Sequence, residues 1–331
     1  MVNGFTFGKF LPFHLGHVAL IKFAQKRCTN LTVLVCASDK ESISGATRVQ
    51  WIENEFKHLP CIKVQLFQYS ESFLTNTSHA SKVVSKQWSD QFKLIFPDAN
   101  VVFTSEKYGE YVADYMNIQH VPFDPDRVQT PISSSLILKN LKEKWKFLSF
   151  GAKSHFIKKI VILGTESTGK STLAGQLAQH YRCSLVEETG RVLVEHSNLC
   201  TLKDLINIAQ QHTQAIKRSI EESFGPLLIL DTNIITTQSY ADFLFQTKLS
   251  TTVEQEAANA GDVYLYLNND CPYHQDGTRL NVKMRNKLHW SQLDYLEKRN
   301  IPYCLISGSW ENRMDRSVQI IDKLMRSSIV R

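Results

Sequence analysis

Short apolar runs alternate along this chain with stretches in which apolar residues recur every three or four positions, and the alternation occurs twice. Apolar runs separated by helix-period segments predict parallel strands joined by crossover helices, the pattern of an α/β fold. In the first half the pattern predicts strands over 4–9, 31–38, 62–68 and 101–105, with helices over 15–27, 47–57 and 79–96. Residues 139–159 break it: lysines recur there without a sustained period and Gly151 interrupts them. A solvated helix face and a domain junction near 145–156 are expected in that stretch. The pattern restarts at Ile160–Leu163, with strands over 184–187, 227–231, 263–268 and 303–307 and helices over 202–222 and 286–299. The expectation is two α/β domains with parallel sheets, 1–150 and 151–331, without internal repeat or low-complexity tract.

Composition narrows the picture only a little. A length of 331 residues favours two cores over one. Hydrophobic content of 43% and charged content of 21% are those of an ordinary globular protein. No apolar run approaches the ~20 residues of a membrane span, and the first residues carry no basic-then-apolar leader. The seven cysteines are scattered, without C-x-x-C spacing, and read as small buried hydrophobes in a reducing cytoplasm rather than as a zinc or disulfide framework. A net charge of +6 suits polyphosphate ligands, and no basic run argues for nucleic acid. The expected partners are small molecules, with no membrane and no nucleic acid, and a homo-oligomer is compatible with the sequence.

The chemistry concentrates in three segments. In the first, Gly164, Thr165, Glu166, Ser167, Thr168, Gly169, Lys170, Ser171 and Thr172 follow an apolar strand and open a helical pattern. This is G-x-x-x-x-G-K-[ST] in its strand–loop–helix context. Gly164 and Gly169 let successive N–H groups turn inward, and the helix dipole reinforces that nest. Lys170 is expected at the β and γ phosphates of ATP, and the Ser171 hydroxyl on Mg²⁺.

Two clusters then argue for phosphoryl transfer. The run Leu227–Asp231 ends a strand in a carboxylate, which either holds Mg²⁺ beside the P-loop or caps a helix. Glu188 and Arg191 follow another strand: the carboxylate is a candidate base for a substrate hydroxyl and the guanidinium a candidate clamp, with a surface ion pair as the plain alternative. Asp276, Gly277, Thr278, Arg279 and onward to Arg285 read as a basic lid over ATP or as solvated loop residues. Tyr273 is either a platform for a planar base or a rim aromatic.

The third segment lies near the start, where His14-Leu15-Gly16-His17 stands at a strand-to-helix turn. Two imidazoles beside a helix N-terminus are suited to gripping a phosphate on which charge develops. Gly16 admits the backbone closely, and Lys9 adds charge. A zinc site is a poor alternative because no third ligand follows at suitable spacing. Ile132-Ser133-Ser134-Ser135 precedes a short helical pattern, so Ser133 and Ser134 are candidates for triphosphate contact or a plain N-cap.

Taken together, these motifs resemble a known family. The H-x-G-H turn, Thr104-Ser105-Glu106 and the I-S-S-S segment are similar to nicotinamide mononucleotide (NMN) adenylyltransferases. The P-loop, Glu188-Thr189-Gly190-Arg191, the run from Asp231 to Gln238 and Asp276-Gly277-Thr278-Arg279 resemble ribosylnicotinamide kinases. In this order they resemble the bifunctional NadR-type family over nearly the whole chain. The resemblance implies a Rossmann-like nucleotidyltransferase domain followed by a P-loop kinase domain, with ATP and Mg²⁺ as cofactors and nicotinamide riboside, NMN and ATP as substrates. It implies His14 and His17 on the ATP phosphates, Arg48 near the nucleotide, Trp88 on the nicotinamide ring, and Asn233 beside the riboside or metal. Family members that repress transcription carry an added N-terminal DNA-binding domain, a role this sequence does not imply.

Two departures stand out. The family's I-S-x-x-x-I-R ends here in Leu138. Losing a charge-assisted contact of that kind costs roughly 1.5–3 kcal/mol, about 10- to 150-fold. The family's D-T-D becomes Asp231-Thr232-Asn233. The expected function is therefore NAD salvage by a kinase and an adenylyltransferase. The alternatives are a kinase whose first domain only senses a ligand, and a non-catalytic P-loop regulator.

Overall fold

The structure, a computed structural model, describes residues 1–75, 81–193, 199–274 and 279–329. They form two compact units, Met1–His155 and Phe156–Arg331. Each is built on one five-stranded sheet in which every strand pair is parallel.

In the first unit the order along the chain is β1 (Asn3–Gly8), α1 (Leu15–Gln25), β2 (Asn30–Ser38), α2 (Gly45–Phe56), β3 (Ile62–Tyr69), α3 (Lys82–Ile95), β4 (Val101–Thr104), α4 (Tyr108–Met116), β5 (Gln119–Pro122), α5 (Ser134–Lys139), a 3₁₀ turn (Trp145–Phe147) and α6 (Phe150–Phe156). The strands lie in the order β3-β2-β1-β4-β5. The connection reverses direction across the sheet at β1, and in open α/β sheets such a switch point opens a crevice at the strands' carboxyl ends. The H-x-G-H turn leaves the sheet at that crevice. One face of the sheet is closed by an aromatic cluster in which Phe5 and Phe96 lie 4.5 Å apart and Phe7 and Phe92 4.4 Å apart. Removing four large rings from water stabilises by roughly 1.5–3 kcal/mol each. Helix α6 belongs to this unit, with the His155 ring edge-on to Trp51 at 5.4 Å.

The second unit runs β6 (Lys158–Leu163), α7 (Lys170–Tyr181), β7 (Ser184–Val186), α8 (Gly190–Leu193), α9 (Leu202–Glu222), β8 (Leu227–Asp231), α10 (Ile234–Phe245), α11 (Val253–Asn259), β9 (Val263–Leu267), α12 (Val282–Lys298), β10 (Cys304–Ile306) and α13 (Trp310–Ile329). Strand β6 is central in the order β10-β9-β6-β8-β7. Ile160 and Ile162 of β6 pack with Leu173 and Leu177 of α7 and with Ile229 and Leu265 of the flanking strands. That core fixes the loop between β6 and α7 over the middle of the sheet.

In the lysine-rich stretch Lys139, Lys142 and Lys146 are exposed as expected, but its end is not a solvated face. Lys153 and Lys159 are buried. Lys159 donates to the carbonyls of Ala257 (3.2 Å) and Ala258 (2.8 Å), completing the last turn of α11. Burial brings its ammonium down to about 8, against the opposing pull of Asp262. Only Cys36 among the cysteines is fully buried; the other six are half-buried thiols. No helix among the described residues is long and apolar enough to cross a membrane.

Candidate active sites

The second unit's site is assembled around the β6–α7 loop. Gly164 has φ +138° and Gly169 φ +84°, so both backbone positions demanded of the nest are in place. Gly169 is the N-cap of α7, and a Cβ there would lie 2.1 Å from the Trp310 ring, so only glycine fits on both grounds. The loop is braced from behind. Arg313 donates to the Thr168 carbonyl (3.1 Å), Arg285 to the Glu166 carbonyl (2.9 Å), and the Leu280 N–H to Glu166 Oε2 (2.8 Å). Thr168 Oγ1 donates to the Thr165 carbonyl at 2.8 Å, and the His274 N–H donates to Ser167 Oγ at 3.0 Å. Lys170 is buried, its Nζ donating to the Thr165 carbonyl (3.1 Å) across the mouth of the nest.

Strand β8 delivers Asp231 beside this loop. The Ser171 hydroxyl donates to Asp231 Oδ2, and Asp231 Oδ1 is buried with no hydrogen-bond partner. Burial pushes the carboxyl above its usual range while Lys170 opposes it. A buried carboxylate oxygen without a partner, next to a hydroxyl, is a donor set suited to a hard cation such as Mg²⁺.

Beside the loop opens a cavity of about 440 Å³ whose wall includes Lys170, Glu188, Arg191, Tyr240 and Arg279. Glu188 Oε2 lies 3.1 Å from Arg191 Nε, and both reach the cavity. A second opening of about 400 Å³ is lined by Gly169, Ser171, Thr172, Arg279 and Trp310. Five expected contacts are absent from these linings: Gly164, Asp231, Asn233, Arg285 and Tyr273. Asn233 is buried as the N-cap of α10: its Oδ1 accepts from the Ile235 N–H (3.0 Å) and its Nδ2 donates to the Asn259 carbonyl (3.0 Å). Arg285 is buried in the first turn of α12 and braces the loop instead of standing in an open lid. The Tyr273 hydroxyl donates to the Leu280 carbonyl, and its ring faces the Arg285 guanidinium at 5.3 Å. Asp276, Gly277 and Thr278 lie outside the described residues.

The first unit's site is built on the start of α1. His14 is its N-cap: the Gly16 N–H donates to His14 Nδ1 (3.1 Å), and the His14 N–H donates to His17 Nδ1 (3.4 Å). The rings stack at 3.7 Å. A Cβ on Gly16 would come within 3.0 Å of the His14 ring, so glycine admits this cap. Because each Nδ1 accepts, each neutral imidazole carries its proton on Nε2, the donor left for a ligand. Burial, with the nearby Arg127 charge second, lowers the His14 pKa to about 3. Burial, His14 and then Arg127 hold His17 well below its ordinary value. Both rings are thus neutral donors near neutral pH.

These imidazoles line a cavity of about 230 Å³ with Lys9, Gly16, Arg127, Ser133 and Ser134. Ser133 Oγ accepts from the Leu136 N–H (3.3 Å) as the α5 cap, and Ser134 Oγ donates to the Pro12 carbonyl (3.4 Å). A neighbouring cavity of about 740 Å³ is lined by Lys9, Tyr69, Trp88, Tyr108 and Arg127. Trp88 donates its Nε1–H to the Thr75 carbonyl (3.1 Å) and packs edge-on to Tyr69. Arg48 lies behind the cavity, not in it. It is fully buried, donates to the Lys9 carbonyl (2.7 Å) and pairs with Glu41 at 2.6 Å, because an unpaired guanidinium cannot be buried there. Leu138 is half exposed and lies outside both linings.

The comparisons with known proteins fall on both units. Residues 159–313 match the AAA domain family model and residues 9–121 the citrate lyase ligase C-terminal domain model. The trifunctional NAD biosynthesis/regulator protein NadR of Salmonella typhimurium is 25% identical over 97% of this chain and 83% of its own length. The chain is similar to NadR along nearly its whole length. A crystal structure of a NadR protein in complex with NR shares 20% identity at a TM-score of 0.61, covering 97% of this chain and 95% of that one. Another, in complex with NAD and AMP-PNP, shares 18% at 0.60 over the same fractions. The two-sheet fold is therefore that of NadR.

Sequence reading missed several residues that the fold brings to the two sites. His212 of α9 lines the larger cavity of the second unit. Its Nε2–H donates to the Thr232 carbonyl (3.2 Å) and its Nδ1 accepts from Thr189 Oγ1 (2.9 Å), so one neutral ring ties the segment after Glu188 to the segment after Asp231. Burial lowers its pKa. Arg127 and Trp310 are the others. No sequence spacing links any of them to a motif.

Proposed function

We propose that the chain is a two-site enzyme of NAD salvage, phosphorylating nicotinamide riboside to NMN in the second unit and adenylylating NMN to NAD in the first. The observation that carries the reading is that one chain holds two unlike phosphate cradles. One is a P-loop with a serine–aspartate pair beside it; the other is a stacked imidazole pair presenting Nε2–H donors. The NadR likeness along 97% of the chain supports it.

In the kinase step, Lys170 and the loop N–H groups hold the β and γ phosphates of ATP. Ser171 and Asp231 would hold Mg²⁺, which would neutralise charge on the transferring group. Glu188 accepts the proton of the riboside 5′-hydroxyl as its oxygen bonds to the γ-phosphorus and ADP leaves. Arg191 keeps that carboxylate aimed. In the adenylyl step an NMN phosphate oxygen bonds to the α-phosphorus of a second ATP, and the α–β bridge bond breaks to release pyrophosphate. The nucleophile is already an anion, so no base is needed. His14 and His17 stabilise charge developing on the α-phosphate by donating from Nε2.

Purified protein supplied with nicotinamide riboside, ATP and Mg²⁺ is expected to form ADP and NMN, and with NMN and ATP to form NAD and pyrophosphate. Absence of ADP and NMN in the first assay refutes the kinase assignment. A second reading, a kinase whose first unit only senses NMN or NAD, is favoured by Leu138. Turnover of NMN to NAD by the wild type dismisses it.

A further inference from the structure

One of the two cations lining the first unit's cavity comes from a turn that no motif marks. Asp124 accepts hydrogen bonds from the backbone N–H groups of Val128 (2.8 Å), Gln129 (3.1 Å) and Thr130 (3.0 Å), which locks the segment between β5 and α5. Within that turn Arg127 takes φ +54°, a backbone conformation rarely adopted by arginine and held here by the surrounding bonds. Its Nη1 donates to the Ile132 carbonyl at 2.7 Å, and its Nη2 pairs with Glu106. The guanidinium borders both the cavity of the paired imidazoles and the larger one beside it.

The cation inventory there is short. Among the described lining residues the formal positive charges are Lys9 and Arg127. Lys9 Nζ is 3.1 Å from Glu41, while Arg48, the other partner of Glu41, is buried outside the lining. His14 and His17 are neutral donors, and Leu138 supplies no charge. Of the anions, Glu71 lines only the larger cavity and Asp124 is engaged by backbone N–H groups. Glu106, with a side chain 46% exposed, is the one carboxylate paired to Arg127 and free to move into water.

We propose that Arg127 is the triphosphate-binding cation of this site, with Glu106 occupying its guanidinium until the nucleotide displaces it. The assignment rests on reading this cavity as a nucleoside triphosphate site. A guanidinium has five N–H donors in a planar fork, so a phosphate can replace a carboxylate on the same edge while the Ile132 contact keeps the group aimed. Arg127 thereby acts on the ligand directly, and the Asp124 turn positions it.

The test is calorimetric titration of the full chain carrying Lys170→Ala, which silences the P-loop, with an ATP analogue that resists cleavage between the α and β phosphates. Adding Arg127→Gln is expected to weaken binding roughly 10- to 150-fold, and Arg127→Lys to weaken it less, because charge survives without the fork. Glu106→Gln is expected to tighten binding by about threefold or more, and to lose that effect once Arg127 is Gln. An Arg127→Gln effect of less than about twofold overturns the assignment, as does Glu106→Gln weakening binding alongside it, the mark of a purely structural clasp. If these shifts occur but the wild type converts no NMN to NAD, the adenylyl-transfer reading falls and Arg127 stands. If the Lys170→Ala chain binds no analogue, both fall.

Discussion

Ser171 donates its hydroxyl to Asp231 Oδ2 and leaves Asp231 Oδ1 buried without a partner. A carboxylate oxygen in that state is costly unless something positive completes it, and in the proposed kinase step Mg²⁺ would take that place. Asp231→Asn is expected to lower riboside phosphorylation by roughly 10²–10³-fold. Formation of NAD from supplied NMN should stay within about twofold, since that chemistry lies in the other unit. Steady-state rates for the two half-reactions check both numbers. A parallel loss in both would mean that the change unfolds the chain rather than disarming one site.

Gly169 is fixed twice, by its φ of +84° and by the Trp310 ring where a Cβ would stand. Gly169→Ala should destabilise by about 2 kcal/mol or more, of which the backbone share is about 1–2 kcal/mol. Adding Trp310→Ala removes the clash but not the backbone share. Thermal melts of the single and double variants separate the two. A Gly169→Ala chain melting with the wild type would show that the loop is not held in this conformation.

The imidazole pair makes stability depend on pH. Burial first, with Arg127 second, puts the His14 pKa at about 3 in the folded chain, against the 6.5 of an exposed histidine. Between those values the unfolded chain binds the proton and the folded chain does not. The contribution is therefore fully present above pH 6.5 and is lost as pH falls towards 3, by up to about 1.4 kcal/mol per pH unit for one such ring. His14→Asn keeps an N-cap without a titrating ring. Its melting temperature should fall less than the wild type's between pH 7 and pH 5. Equal slopes would contradict the neutral-imidazole account.

Leu138 is half exposed outside the cavity linings, and Arg127 occupies the place where a cation is needed. Leu138→Arg is then expected to change NAD formation from NMN by less than about threefold. A gain of tenfold or more would favour the kinase-only reading, with a first unit disabled by that leucine.

Much of the architecture was legible because strand and helix periods are explicit. The run Leu227–Asp231 and the helix Leu202–Glu222 form with the bounds their patterns predict, and the P-loop lies between β6 and α7 as its glycines require. Helix α10 is harder to read: Ile234, Ile235, Thr237, Gln238, Ser239 and Ala241 are all buried, so it has no polar stripe to mark a period. The resemblance marked Arg48 and Asn233 as contacts, but burial turned both into internal braces. His212 and Arg127 escaped notice for the opposite reason. Each looks like an isolated polar residue until folding sets it against partners such as Thr189, Thr232 and Glu106. Lys159 likewise read as a solvated charge until α11 presented its terminal carbonyls.

The most direct measurement is chromatographic separation of products from the wild type, Lys170→Ala and His17→Ala chains, each given nicotinamide riboside with ATP and Mg²⁺, or NMN with ATP. The wild type should carry the riboside through to NAD. Lys170→Ala should leave the riboside untouched yet convert NMN, and His17→Ala should accumulate NMN without NAD. NAD formation surviving in the His17→Ala chain, or both half-reactions vanishing in either single variant while the chain remains folded, would contradict two separate phosphate cradles.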